Sequence, residues 1–282
     1  QNNQSKIRRD AMQQTHKALL VVSFGTSYHD AKEKSIDPIE RDLAQALPDR
    51  QLFRAWTSKF IIRKIWQRDG TAVDTVEEAL LRMLTRGISD VLIQPTYLLN
   101  GVEHAAVLRQ AEGYRGRFSR LRIADPLLAS DADLQKISKI LTQEYQDLPV
   151  EEAVLLMGHG SETQQAADLA YSAVAAYTAL DRLLGALSQG QIFLATMQGE
   201  PSLENALRRL KLRPSTRRVL LAPFLMVAGA HACRDMAGEG DASWKSIVTR
   251  AGYDVQCIHR GLGEYEAVRR MLVKHALQAQ SR

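Results

Sequence analysis

The chain has 282 residues, of which 45% are hydrophobic and 24% are charged, and its formal net charge is +5. This composition is typical of a globular protein with one large domain or two of ordinary size. No apolar run approaches the roughly 20 residues of a membrane helix, and basic residues are not interleaved with aromatic ones, so we expect no membrane span and no nucleic-acid partner. The two cysteines, Cys233 and Cys257, match neither a disulfide framework nor a thiolate metal site.

The first sixteen residues are polar and mildly basic and show no apolar periodicity, which predicts a flexible tail over 1–16. The sequence also begins with Gln rather than Met. Together these features favour an exported, periplasmic protein, with the cytoplasm as the alternative.

Beyond the tail, short apolar runs alternate with amphipathic helical patterns. The predicted strands are 18–24, 52–56, 91–97, 121–124, 154–157, 192–197, 219–226 and 255–258. The predicted helices include 31–47, 76–86, 132–145, 164–187 and 264–279. Because strands and helices alternate, we expect an α/β fold in which parallel sheets are flanked by helices.

The second half of the chain echoes the first. The turn after the first predicted strand, 23–27, corresponds to 158–161 after the fifth, and the segment around 95–104 corresponds to the segment around 223–231. We therefore predict two similar α/β domains, 17–148 and 149–282, that face each other across a cleft. In this alignment Phe24 takes the place of His159.

Two histidines follow predicted strands of the second half, where ligands of parallel sheets bind. His159 lies between two glycines after the fifth strand, and His231 follows the seventh strand at the start of a predicted short helix. The helix dipole at that position favours the neutral imidazole, which is the form that binds a metal. Two imidazoles at one edge indicate metal handling or proton transfer.

A third ligand is expected in the loop after the sixth strand. Glu200 offers a carboxylate that binds a divalent metal or accepts a proton, whereas Gln198 offers only an amide oxygen. The sequence contains no phosphate-binding loop and no dinucleotide-binding motif, so nucleotide-driven chemistry is not expected.

Several of these segments, taken together, resemble the class II tetrapyrrole chelatases, in particular the anaerobic-pathway type that inserts cobalt into sirohydrochlorin (the CbiK type). The segments are 17–30 (KALLVVSFGTSYHD), 52–58 (LFRAWTS), 61–64 (IIRK), 157–160 (MGHG), 225–232 (LMVAGAHA) and 241–245 (DASWK). The resemblance extends from about Lys17 to the last predicted helix.

The resemblance implies a two-domain fold with a sirohydrochlorin-type tetrapyrrole in the cleft. It places the family's metal-binding histidines on His159 and His231, while the family's glutamate falls on Gln198, with Glu200 two residues later. We expect the histidines to hold Co²⁺ and one of them to remove a pyrrole proton, with Glu200 or water relaying it. The alternatives are insertion of Fe²⁺ and a carrier that binds tetrapyrrole, metal or haem without catalysis.

The macrocycle carries many carboxylates, so we expect an arginine at the cleft rim, and Arg54 at the end of the second strand is the candidate. A structural ion pair is the alternative for this residue. Ser23, Thr26 and Ser27 are further candidates for substrate contacts. His104 is either an exposed residue at a helix start or an axial ligand of haem b shared between the subunits of a homo-oligomer.

Overall fold

The computed structural model describes residues 16–161 and 173–282. Most of the predicted tail over 1–16 and the first part of the predicted helix 164–187 lie outside the described residues.

The N-terminal half forms a four-stranded parallel sheet. Its strands are β1 (Lys17–Ser23), β2 (Gln51–Trp56), β3 (Asp90–Pro95) and β4 (Arg120–Ile123), in the order β2-β1-β3-β4. Residues 18–22 of the central strand β1 are fully buried, because helices cover both faces of the sheet. A continuous apolar run is therefore the pattern that this strand requires.

Helices connect these strands. They are α1 (His29–Ala31), which continues through a π-helical segment (Lys32–Ile36) into α2 (Asp37–Ala46), then α3 (Lys59–Asp69), α4 (Val76–Thr85), α5 (Val102–Glu112) and α6 (Asp131–Glu144). A short 3-10 helix (Arg115–Arg117) precedes β4. Local sequence fixes several starts: Thr75 and Glu78 form a reciprocal capping box at α4, and the Ser58 hydroxyl caps α3.

The C-terminal half forms a second four-stranded parallel sheet. Its strands are β5 (Glu152–Gly160), β6 (Ile192–Gln198), β7 (Arg218–Pro223) and β8 (Asp254–Cys257), in the order β6-β5-β7-β8. The described helical segments of this half are α7 (Ala173–Leu187), α8 (Leu203–Lys211), a second π-helix (His231–Met236), α9 (Trp244–Arg250), a 3-10 helix (Leu262–Glu264) and α10 (Glu266–Ser281).

The two sheets have the same strand order, shifted by four strands along the chain. This common topology confirms the fold that the sequence predicts, two similar α/β units with parallel sheets. Each of the eight predicted strands overlaps an observed one, with ends that differ by a few residues. The helices α3, α5, α8 and α9 were not specified by the sequence interpretation.

The two halves share one hydrophobic core. Leu19 and Val21 of the first sheet belong to the same buried cluster as Val154 and Leu156 of the second. Helices α6 and α7 pack against each other, and the last helix, α10, returns to pack on α2 and β3. The last helix therefore contributes to both halves, although chain order assigns it to the predicted segment 149–282.

Among the described residues, no helix combines the length and the apolar composition needed to cross a membrane.

Candidate metal and substrate site

The structure brings the two predicted histidines together. His159 lies near the end of β5, and His231 begins the π-helix that follows β7, the strand next to β5. The centroids of the two imidazole rings are 5.2 Å apart, and the rings meet edge to face at 82°. Both side chains are exposed, so an ion from solvent can reach them.

Each histidine uses its Nδ1 atom inside the protein. Nδ1 of His231 lies 2.6 Å from Oδ2 of Asp235, and Nδ1 of His159 lies 3.2 Å from the carbonyl oxygen of Gly160. Both partners are acceptors, so each Nδ1 carries a hydrogen, and in the neutral form of each ring Nε2 is then the nitrogen with a lone pair. Nε2 is therefore the nitrogen of each ring through which we expect a metal ion to bind.

Two glycines hold the backbone of His159 in place. A Cβ at Gly160 would lie 1.9 Å from the carbonyl oxygen of Gln198, and its φ is +79°. A Cβ at Gly158 would lie 2.8 Å from the ring of Tyr177. Glycine is thus required on both sides of His159. At Gly160 the strand β6 comes too close for a side chain, and at Gly158 the helix α7 does.

Tyr177 of α7 stabilises the turn that carries His159. Its side chain is buried in α7, its ring packs against that of Phe224, and its hydroxyl accepts hydrogen bonds from the backbone of Gly160 and His159. Burial raises the pKa of Tyr177 to about 12, and the two backbone hydrogen bonds oppose that shift. Tyr177 is therefore neutral at physiological pH and acts as a support of the turn.

The two candidates for a third ligand lie at and just after the end of β6, the strand next to β5, but they differ in their surroundings. Gln198 is exposed and pairs with Gly160 in the β5–β6 register. The Glu200 carboxylate accepts hydrogen bonds from the side-chain amide of Asn205 (2.8 Å) and the backbone N–H of Ser202 (2.9 Å), which lower its pKa.

Glu200 is therefore ionised and directed towards the start of α8. Among the described residues, no three His, Cys, Asp or Glu side chains are arranged to hold a metal ion. The assignment of a third ligand to Glu200 or Gln198 stays a prediction.

The turn after β1 completes the site from the other sheet. A Cβ at Gly229 would lie 3.2 Å from Oγ1 of Thr26, so the turn after β1 and the loop that leads to His231 are in contact. The ring of Phe24 is 48% exposed in this same turn. The carboxyl ends of the two sheets thus meet next to the histidines.

The hydroxyls predicted to contact substrate are partly engaged within the protein. Ser23 is 3% exposed and accepts a hydrogen bond from the Thr96 hydroxyl at 2.9 Å. Thr26 is also buried and accepts one from the backbone N–H of Tyr28. Of the three predicted residues, only Ser27 is partly exposed, and its role as a substrate contact stays a prediction.

Arg54 is half-buried and forms an ion network with the buried Glu40 and the half-buried Asp37. Its guanidinium donates to both carboxylate oxygens of Glu40, at 2.7 and 2.6 Å, and to Asp37 at 2.7 Å. Burial alone would lower the pKa of Arg54, but these two carboxylates raise it. The contacts favour the ion-pair alternative, because a guanidinium held by two carboxylates is not free to bind those of a substrate.

His104 is not the exposed residue that its place at a helix start suggests. The side chain is 6% exposed in the first turn of α5, its Nε2 atom has no hydrogen-bond partner, and burial lowers its pKa. This burial contradicts the exposed alternative, and the role of His104 as an axial ligand of haem b stays a prediction.

Asp235 and Tyr177 are not among the residues that the sequence predicted. The spacing of four residues between His231 and Asp235 could have indicated their contact, because residues four apart lie on one face of a helix. Tyr177 carried no such signal, since its role depends on the approach of α7 to β5.

The sequence is similar to those of two sirohydrochlorin cobaltochelatases. The chain is 41% identical over 263 residues to the sirohydrochlorin cobaltochelatase of Salmonella typhimurium, covering 93% of this chain and 96% of that protein. It is 28% identical over 273 residues to sirohydrochlorin cobaltochelatase CbiKC of Nitratidesulfovibrio vulgaris, covering 95% and 92%.

Solved structures share the fold. SirB from Bacillus subtilis with Fe³⁺ matches with a TM-score of 0.61 at 12% identity, covering 93% of this chain and 95% of SirB. The cobalt complex of the sirohydrochlorin chelatase SirB from Bacillus subtilis subspecies spizizenii matches with a TM-score of 0.57 at 12% identity, covering 94% and 96%. The cobalt chelatase (CbiK) family model matches residues 17–281, and this chain therefore belongs to that family.

Proposed function

We propose that this protein inserts Co²⁺ into sirohydrochlorin and uses no nucleotide. Family membership and the two cobaltochelatase relatives support the reaction. The observation that carries the residue assignment is the pair of imidazoles, 5.2 Å apart, with both Nδ1 atoms engaged inside the protein. In this proposal the two Nε2 atoms bind one ion.

The reaction exchanges one ion for two protons. The free macrocycle has two inner N–H groups, and both protons leave as Co²⁺ forms bonds to the four nitrogens. A site that holds the ion on one face of the macrocycle, with proton acceptors beside it, lowers the barrier by orientation. His159 and His231 provide both functions at the junction of the two sheets.

The proton acceptor follows from the same geometry. When the ion passes from an imidazole to the macrocycle, the Nε2 atom regains its free lone pair and accepts a pyrrole proton. The second proton passes to the other imidazole or to solvent. Glu200 is ionised and exposed, so it is suited to relay a proton outward.

A metallation assay tests the proposal, with Co²⁺ and Fe²⁺ compared side by side on the purified protein. We expect multiple turnovers with Co²⁺, and we expect His159→Ala and His231→Ala each to lower kcat/KM at least about 100-fold, since they remove ligands rather than outer partners. The matched control is His16→Ala, because His16 lies at the opposite end of β1. Stoichiometric binding without turnover would show a carrier instead.

The third ligand can be assigned in the same assay. Glu200→Gln and Gln198→Ala are each compared with the intact protein for their KM for Co²⁺. The variant that raises this KM identifies the ligand, and no change in either would leave the histidine pair as the protein's share of the site. The periplasmic location and the self-association that the sequence suggests stay predictions, open to cell fractionation and analytical ultracentrifugation.

A further inference from the structure

One aromatic ring occupies the position in the first half that His159 occupies in the second. Phe24 directly follows β1, and His159 lies near the end of β5, which is the equivalent central strand of the second sheet. The carboxyl end of each central strand therefore presents one ring. The second half presents an imidazole, and the first half presents a benzyl group.

The position of Phe24 is fixed by its backbone. Thr57 donates its N–H to the Ser23 carbonyl at 3.0 Å, and Ser58 donates its N–H to the Phe24 carbonyl at 3.2 Å. The next residue, Gly25, has a φ of +96°, and a Cβ there would lie 2.7 Å from the buried indole of Trp56. The turn thus holds Phe24 outward while its neighbours are packed.

The Phe24 ring is about half exposed, so burial in the hydrophobic core does not account for an aromatic residue at this position. A single exposed apolar side chain is common on protein surfaces. Phe24, however, is 48% exposed in the turn that touches the loop leading to His231, through Thr26 and Gly229. A phenyl ring in this turn is close to the loop that carries one of the two histidines, and it has no acceptor or donor to offer a metal or a proton.

We propose that Phe24 is a positioning residue that stacks on the face of the macrocycle opposite the histidines. The inference rests on the proposed function, since it assumes that a conjugated tetrapyrrole occupies the site. Stacking of an aromatic ring on a conjugated surface is favourable, and it covers one face of the macrocycle. Because the phenyl ring cannot ligate a metal, Phe24 would leave Co²⁺ to enter from the histidine face and would form no bond that retains the product.

Binding of sirohydrochlorin without metal tests this role, measured by the change in the intrinsic fluorescence of the macrocycle. We expect Phe24→Ala to raise the Kd for sirohydrochlorin about tenfold, which corresponds to ~1.4 kcal/mol. Phe24→Tyr keeps the ring, so we expect its Kd to stay within about twofold of the intact protein. In steady-state metallation by Phe24→Ala, the KM for sirohydrochlorin rises and the KM for Co²⁺ does not.

Leu212→Ala is the matched control, because Leu212 is 82% exposed and follows α8, away from the carboxyl edge of the sheet. Equal Kd values for Phe24→Ala and the intact protein would overturn the inference, and so would an increase confined to the KM for Co²⁺. If the intact protein neither binds nor metallates sirohydrochlorin, the proposed function itself fails. That result differs from the one that overturns only the role of Phe24, in which the intact protein and Phe24→Ala both bind sirohydrochlorin with the same Kd.

Discussion

Nδ1 of His231 lies 2.6 Å from Oδ2 of Asp235, four residues further along the π-helix. The carboxylate accepts the Nδ1 hydrogen and so orients the ring and leaves Nε2 free. Carboxylate partners of this kind fix the tautomer of metal-binding histidines in many metalloproteins.

Removal of this carboxylate weakens metal binding. We expect Asp235→Ala to raise the KM for Co²⁺ about 10- to 100-fold while the KM for sirohydrochlorin changes little, since only the metal ligand loses its orientation. Asp235→Asn keeps an acceptor oxygen and should have a smaller effect. The control is Asp241→Ala, a fully exposed carboxylate paired with Arg250. Equal loss in both alanine variants would contradict the orienting role.

Gly160 tolerates no side chain. Gly160→Ala places a Cβ 1.9 Å from the Gln198 carbonyl, so β5 and β6 must separate and His159 must move. We expect kcat/KM to fall about 100-fold, as small displacements of reacting groups commonly cause. Gly87→Ala is the control, because Gly87 has a similar φ of +72° with nothing within 4 Å.

The control variant Gly87→Ala should lose only about 1–2 kcal/mol of unfolding free energy through backbone strain, and its kinetic constants should not change. Chemical denaturation and metallation kinetics measure the two effects separately. Full activity of Gly160→Ala would show that the close contact can relax without moving His159.

Arg54 is held by Glu40 and Asp37, so we expect it to stabilise the fold rather than to bind the substrate. Glu40 is 5% exposed, and Arg54→Ala leaves this buried carboxylate without its main partner. We expect the unfolding free energy to fall by about 3–5 kcal/mol, with little change in the KM for sirohydrochlorin. Urea denaturation and kinetics at a temperature where the variant is folded provide both measurements.

The matched variant is Arg41→Ala, whose side chain is exposed on the neighbouring helix α2. It should lower the unfolding free energy by less than about 0.5 kcal/mol. A large rise in the KM for sirohydrochlorin on loss of Arg54 would instead restore the substrate-binding role that the sequence suggests.

His104 makes the protein less stable in mild acid. Burial lowers its pKa below the ordinary value of 6.5, so in acid the unfolded chain binds a proton that the folded chain does not. Since the unfolded state then binds more protons, unfolding free energy falls as the pH drops below about 6.5. We expect His104→Gln to flatten this part of the curve.

Urea denaturation at a series of pH values from 7 to 5 measures the slope. His259→Gln is the comparison, since His259 is exposed. An unchanged slope in His104→Gln would show that this imidazole takes up a proton in the folded state as readily as in the unfolded one.

Much of the fold was determined by local sequence pattern. The apolar run 18–24 predicted a strand of a parallel sheet, and the echo of this region in the second half predicted two similar α/β domains. The positions of His159 and His231 after strands predicted a shared edge, because the carboxyl ends of neighbouring parallel strands lie together. These inferences depend only on periodicity and chain order, which every stretch of sequence carries by itself.

The tertiary structure decided which side chains remain free to act. Arg54 was predicted at the rim, but Asp37 and Glu40, which hold it, lie on a different element. His104 was judged by its place at a helix start, whereas its burial depends on contacts distant in sequence.

The same distinction applies to the metal site. The sequence by itself predicted that two imidazoles would follow strands of the second half and share one edge of the sheet, and it showed that two glycines flank His159. Only the folded chain decided that both Nδ1 atoms are engaged, that Glu200 turns towards α8, and that Phe24 lies beside the loop leading to His231. The physical reason is that availability of a side chain depends on its hydrogen-bond partners and its exposure, and residues far apart in the chain set both.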